Sequence, residues 1–350
     1  MLKHTLCAGA IALAPMPSIA EQFDATIVAG HPAVFRWVRM INEVFIPEVT
    51  ASLEGTEHEI TFSEQYGGAV AGVGEELETV SLGLAEIGVI QSLFDPATLA
   101  VQNVTYYTPF VTDDPREIYD LLHDLHLNNP MMRQAYDDND ITYLGAPVVI
   151  DDYLLMTTFP INDLSDLDGR RIAAPGPAVN WLSGTGAVGV SGNLTTYYNE
   201  LSTGVYDGVV VFASAALPGR LYEVAPYVTR FGLGAQFAGS LGANSIWYDS
   251  LPPEAQQALH DAADAAGGWY LDALDSAVET SLETMAAEGA TVTVASAELR
   301  QTWADGMDNA AATWADELEA QGRPAREILS IYMNGMRDAG AEPLRNWDQE

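Results

Sequence analysis

Between Asp163 and Gly208 the chain alternates short strand-like and helix-like pieces in close succession, a pattern that belongs to an open α/β sheet. An aspartate-led turn runs into a strand at 171–174, Pro175 and Gly176 break it, and a helix is expected through Trp181. A small-residue strand near 188–190, a second helix at 195–202 and a further strand from Tyr206 complete the stretch. Two such units in succession leave strand ends and helix starts facing one cleft, where open α/β sheets hold their ligands. The stretch is read as one wall of a binding site.

The remaining chain fits the same class. Residues 23–28 alternate like a half-buried first strand, and Gly30-His31-Pro32 ends it before a helix carrying Phe35, Val38, Ile41 and Val44. His31 then stands at a strand end beside a helix start, where it either faces the cleft or caps the surface. Residues 58–63 read as a second strand, and a turn follows through Gly67, Gly68, Gly72 and Gly74. No Gly-Lys-Ser/Thr follows it, so it is not a nucleotide phosphate loop. A helix at 75–84 precedes a short buried strand at 87–91, whose end, Gln91-Ser92, faces the cleft. Strands are expected at 141–147 and 153–158, around Asp151 and Asp152, and again over Asn244-Ser245-Ile246-Trp247. Residues 252–287 form a very long helical pattern. Its first half repeats on the face of Ala258, Ala262, Ala265 and Trp269, and its second half on the face of Leu271, Leu274, Val278 and Leu282. A strand at 290–294 and helices at 297–321 and 324–339 close the chain. The tail carries Leu344 and Trp347 and reads as packed.

Composition excludes several classes. A formal charge of -35, from 49 acidic against 14 basic residues, repels a nucleic-acid backbone and reads as a solvated surface suited to a salty medium. Lys3 is the only lysine and Cys7 the only cysteine. The first twenty residues, a basic opening, an apolar run to Met16 and small residues at Ser18 and Ala20, read as a secretory signal cleaved near Ala20. The mature chain would then have neither disulfide nor thiol chemistry, and no lipid anchor. No nucleophile elbow, metalloprotease helix or dinucleotide fingerprint is present. Asp151 and Asp152, as strand neighbours, point to opposite faces and do not flank one bond as a glycosidase pair would. His123 and His126 share a helical face without a further ligand nearby, so no metal site is expected. The expectation is a binding protein without a cofactor, not an enzyme.

An ordered series of motifs carries a family resemblance. Asp-Leu-x-Gly-x-x-Ile at 166–172, the Pro175-Gly176 turn, Gly186-Ala187, and Leu201-x-x-Gly204-x-x-Asp207-Gly208 resemble the periplasmic substrate-binding subunits of TRAP transporters, the C4-dicarboxylate-binding DctP type. Glu76 to Gly83, Pro109-Phe110, Tyr222-Glu223-Val224-Ala225 and Leu251-Pro252 extend it over nearly the whole chain. The resemblance implies an α/β, two-lobed periplasmic binding protein of the type II-like, Venus-flytrap kind, with a long helix bracing both lobes. Residues 21–148 with 240–290 would form lobe I, 149–239 with 291–335 lobe II, and 336–350 a packed tail. It also implies a monomer that captures a small organic solute and delivers it to membrane permease subunits. A sensor on the same fold, or an exported hydrolase, are the other readings.

The family usually grips a carboxylate through an arginine, and alignment on Gly169, Ile172 and Pro175 puts that position at Ala173. A second basic position falls near Asp152, where an acid stands. Burying a carboxylate beside an unpaired aspartate costs more than the ~1.5–3 kcal/mol of one charge-assisted hydrogen bond. The aromatic residues Tyr153, Trp181, Tyr197 and Phe212 suit a cationic head, and Val209-Val210-Val211 makes the wall apolar. The expected ligand is therefore a small amine, zwitterion or polar alcohol, recognised by Asp151 or Asp152. The competing reading makes both aspartates solvent-facing hinge residues and gives a carboxylate to Arg171 or Arg36. His31, Gln91, Tyr107, Asn244 and Trp247 complete the candidate set.

Overall fold

The computed structural model describes residues 21–350, so the signal reading at 1–20 lies outside the described residues. Eleven strands follow in chain order: β1 (Glu21–Ala29), β2 (His58–Tyr66), β3 (Ile87–Ile90), β4 (Ile141–Ile150), β5 (Tyr153–Thr157), β6 (Arg171–Ala174), β7 (Val188–Ser191), β8 (Gly208–Phe212), β9 (Tyr227–Arg230), β10 (Gln236–Asn244) and β11 (Thr291–Val294). They form two sheets. The first has the order β2-β1-β3-β10-β4 and the second β11-β9-β5-β8-β6-β7. Strands β1, β2 and β3 run parallel, as do β6, β7 and β8, while β10 and β5 run antiparallel to their neighbours. Strands β3, β5 and β8 are buried along their whole length and β4 at every residue but Thr142, which fits their largely apolar content.

Each sheet anchors one lobe, and the chain crosses between them at two short connections and again along the long helix Pro253–Ala287 that leads from β10 to β11. The first crossing is Asp151-Asp152, between β4 and β5, and the second lies between β9 and β10. The two crossings touch: Asp152 Oδ1 accepts from the Gly234 amide at 2.9 Å, and the Tyr153 amide donates to the Gly234 carbonyl.

The 35-residue helix Pro253–Ala287 packs on β4 and on the helical segment 36–53 of the first lobe, and on Ala213–Ala216 and β11 of the second. It therefore braces both. Its buried stripe runs Ala255, Leu259, Ala262, Ala266, Tyr270, Leu274, Ala277, Ser281 and Met285. Ala265 is exposed and Trp269 half-buried, so the face read from the sequence is rotated by about one residue. Alanines occur on every side of the first half, and periodicity alone does not choose among them.

Three further expectations change. Asn244 ends β10 and caps the helix Ser245–Ser250, so the strand expected through Trp247 is a helix: the Asn244 side chain accepts from the Trp247 amide at 3.0 Å. The helix expected over 297–321 is two, Ala297–Gly306 and Ala310–Glu319, because Asn309 caps the second by accepting from the Ala312 amide. Trp181 ends a 3-10 helix, Gly176–Leu182, instead of entering an α-helix. The tail is packed: Trp347 is buried and donates its indole N–H to the Pro109 carbonyl at 2.7 Å.

Candidate functional site

A small cavity of about 30 Å³ lies between the two lobes. From the first lobe come His31, just past β1, Trp37, in the first turn of the helix Arg36–Met40, Gln91, at the end of β3, and Phe94, closing the 3-10 turn Ser92–Phe94. From the second come Tyr153 on β5, Tyr197 at the start of the helix Tyr197–Ser202, and Phe212 at the end of β8. Strand ends and helix starts converge there, as an open α/β sheet dictates. Across the gap, the Trp37 and Phe212 rings approach to 5.8 Å between centroids. Tyr153 sits edge-on to Phe212 at 5.3 Å.

Polar groups in the cavity are few and specific. His31 is 2% exposed, ringed by Phe35, Trp37 and Phe94, and its Nδ1 lies 2.8 Å from Gln91 Oε1. Burial in these rings pulls the imidazole down to about 4, so it is neutral at pH 7 despite the Gln91 hydrogen bond. Burial likewise pushes the Tyr197 phenol well up and keeps it protonated. Three buried polar atoms of lining residues have no protein partner: His31 Nε2, Trp37 Nε1 and Tyr197 Oη. Buried polar groups are almost always paired, so three orphans around one cavity mark places for a ligand's polar atoms. No lining residue carries a carboxylate, guanidinium or ammonium group.

Of the twelve residues proposed from sequence, His31, Gln91, Tyr153, Tyr197 and Phe212 line this cavity, and the others stand elsewhere. Trp181 is one layer behind: it stacks on Tyr106, meets Tyr153 edge-on, and donates to the Tyr106 carbonyl at 2.7 Å. Tyr107 stacks on Trp314, away from the cleft. Asn244 and Trp247 are engaged at the helix cap, Asn244 also donating to the Val80 carbonyl. Arg171 is exposed at the start of β6, held by Asp207 and the Gly204 carbonyl.

Asp151 and Asp152 stand outside this cavity, at the crossing between the lobes, and of the two only Asp152 keeps partial exposure. Asp151 is 1% exposed, neither in the cavity nor facing solvent; it accepts from the Ser214 amide at 3.2 Å and from the Ser214 hydroxyl. Asp152 holds the second crossing through Gly234, and burial, with Asp113 and Asp151 nearby, pushes its carboxyl up to about 7. Both tie the crossings together. Arg36 donates to the Ser214 carbonyl at 3.2 Å, which links the first lobe's helix to the second lobe.

Sequence reasoning missed Trp37 and Phe94. Trp37 sat off the Phe35, Val38, Ile41 repeat, but it stands in the first turn of the helix that follows β1, and that position is the signal. Phe94 lies three residues beyond Gln91 with no periodicity to flag it. Ala173, at the family's arginine position, is fully buried in the cluster that contains Tyr197 and Tyr206.

His31 titration gives a first expected result. Its unfolded value is near 6.5 and its folded value about 4, so the unfolded chain binds the extra proton first and acidification costs stability between those pH values. The stability advantage of wild type over His31→Gln should shrink by on the order of 3 kcal/mol from pH 7 to pH 4. A pH-independent difference in denaturant midpoints would mean His31 titrates normally.

Two α/β lobes with a cavity between them suit a receptor that closes on a small solute. The chain belongs to the DctP family, bacterial extracellular solute-binding protein family 7, whose model matches residues 51–318. It is a TRAP-type extracytoplasmic solute receptor. One curated relative is the ectoine-binding periplasmic protein TeaA of Halomonas elongata, 30% identical over 145 residues. That alignment covers 41% of this chain and 42% of the relative. Among solved structures, the ectoine-binding protein of the same organism superimposes with a TM-score of 0.76 at 20% identity, over 90% of this chain and 100% of that one. A TRAP solute-binding protein from Rhodoferax ferrireducens, in complex with copurified benzoate, gives 0.79 at 16% identity, over 90% and 98%. At these identities the solved structures establish the shared fold.

Proposed function

We propose that this receptor captures a small solute of zero net charge, a zwitterion or a polar neutral compound, in the cavity between His31 and Tyr197, and presents it to a membrane permease. The observation that carries the reading is the lining itself: five aromatic rings, three unpartnered polar atoms and no charged side chain. A monoanion buried there would lose its hydration without a counter-charge, at a cost of several kcal/mol. A delocalised cation against Trp37, Phe94 or Phe212 gains ~0.5–2 kcal/mol per good contact, and an attached carboxylate takes the Trp37 and Tyr197 donors. Ectoine, the ligand named for the relative in Halomonas elongata, is a ring with a delocalised cation and a carboxylate, and fits this description. The receptor acts as a monomer, exported by a signal ending near Ala20, with lobes divided at the two crossings.

A thermal-shift panel on residues 21–350 tests the class, with ectoine and other small zwitterions, polyols, benzoate and a uronate. A ligand at about 100 times its Kd adds about 2.7 kcal/mol to stability. Zwitterions or polyols should raise the melting temperature and the anions should not. A rise with the anions alone overturns the reading.

A further inference from the structure

The His31–Gln91 contact fixes more than a ring position. Gln91 presents its carbonyl oxygen to His31 Nδ1 at 2.8 Å, and an amide oxygen has no proton to give. In this orientation of the Gln91 amide the shared proton is on Nδ1. A neutral imidazole carries a single N–H, so Nε2 is left with a bare lone pair. That atom is buried, unpartnered and part of the cavity lining. The surroundings keep the ring neutral. It packs against Phe35, Trp37 and Phe94, and the cavity's other titratable groups, Tyr153 and Tyr197, are phenols held protonated by burial. A buried carboxyl beside this segment, Glu76, is engaged by the Gly30 and Gly74 amides. Trp37 Nε1, by contrast, can only donate.

We infer that Gln91 is a specificity-determining positioning residue: by holding the Nδ1–H tautomer of His31 it makes Nε2 a hydrogen-bond acceptor that selects solutes bearing an N–H or O–H, with Trp37 Nε1–H taking the solute's acceptor end. The inference rests on the reading that this cavity holds the solute. It deepens that reading by assigning the selected class: compounds with a donor and an acceptor on one small frame, such as an amidinium or ammonium with a carboxylate. A solute that offers His31 only an oxygen lone pair meets a second lone pair and leaves both unpaired. An unmade buried hydrogen bond costs ~1–3 kcal/mol, on the order of ten- to a hundred-fold in affinity.

The test uses Gln91→Glu, which is nearly isosteric with the amide. A carboxylate beside Nδ1 favours the imidazolium, and Nε2 then becomes a donor. The probes are ectoine, which carries N–H groups, and benzoate, which offers only acceptors. Wild type should bind ectoine in preference to benzoate. In Gln91→Glu at pH 7, ectoine binding should weaken ten- to a hundred-fold while benzoate binding strengthens. Gln91→Leu, which frees the tautomer without adding charge, should weaken ectoine without helping benzoate, and its melting temperature reports whether the fold is intact. Long-range proton–nitrogen NMR of His31 reads the tautomer with or without ligand: Nε2 should be unprotonated in wild type and protonated in Gln91→Glu. A protonated Nε2 in the neutral wild-type ring, or an unchanged probe preference in Gln91→Glu, overturns the inference while leaving the neutral-solute reading in place. Wild-type binding of benzoate but not of ectoine, zwitterions or polyols overturns that underlying reading instead.

Discussion

Gly176→Ala should leave both lobes folded and nearly abolish solute binding. Gly176 opens the 3-10 helix after β6 with φ +48°, and a methyl group there would overlap the Leu93 carbonyl oxygen. Leu93 belongs to the first lobe and Gly176 to the second, so the overlap lies across the cleft, beside the cavity that Leu93 and Pro175 line. The local conformation costs alanine about 1–2 kcal/mol, a modest loss. The larger effect is on closure: the backbones no longer meet, the cavity stays wet, and its few hydrogen bonds compete with water. Affinity measured by calorimetry should fall by about a hundred-fold or more, equivalent to about 2.7 kcal/mol. Small-angle scattering should show no compaction on adding ligand. Wild-type affinity with normal compaction would mean that the Leu93–Gly176 contact has no part in closure.

Trp181→Ala should instead destabilise the whole protein. Trp181 is fully buried, stacks on Tyr106, donates to the Tyr106 carbonyl and accepts the Trp303 indole N–H at 2.7 Å through its own carbonyl. Truncation opens a cavity between the segment Val101–Tyr107 and the helix Ala297–Gly306, and orphans the Tyr106 carbonyl. Large-to-small changes of an aromatic core residue cost ~3–5 kcal/mol, and the lost hydrogen bond adds to that. Trp181→Phe keeps the ring and should recover most of the loss. Chemical denaturation measures both, and a cost below about 1 kcal/mol for alanine would contradict this packing role.

These two residues also show what was legible in the chain. The α/β class, the length of the long helix and the cleft side of β6 followed from local alternation, because strand ends and helix starts are local properties, whereas the two-lobed arrangement and the bracing role came from the family resemblance. Trp181 was recognised as important, but its partners, Tyr106 and Trp303, lie 75 and 122 residues away, so sequence could not tell a wall from the layer behind it. Asp151 and Asp152 stand outside the cavity for a related reason. Charge made them attractive as ligand contacts, whereas Ser214 and Gly234, their actual partners, are brought near only when both crossings are in place. Arg171 alternated correctly but stands at the exposed start of its strand. The missing arginine at Ala173 was readable directly. That Ala173 packs with Tyr197 and Tyr206 required the fold.

The most direct measurement is a crystal structure of the receptor saturated with the strongest binder from the thermal-shift panel. The account predicts a solute of zero net charge between His31 and Tyr197, with a donor on His31 Nε2 and an acceptor facing Trp37 Nε1. An anionic solute held by Arg36 or Arg171, with this cavity left empty, would contradict it.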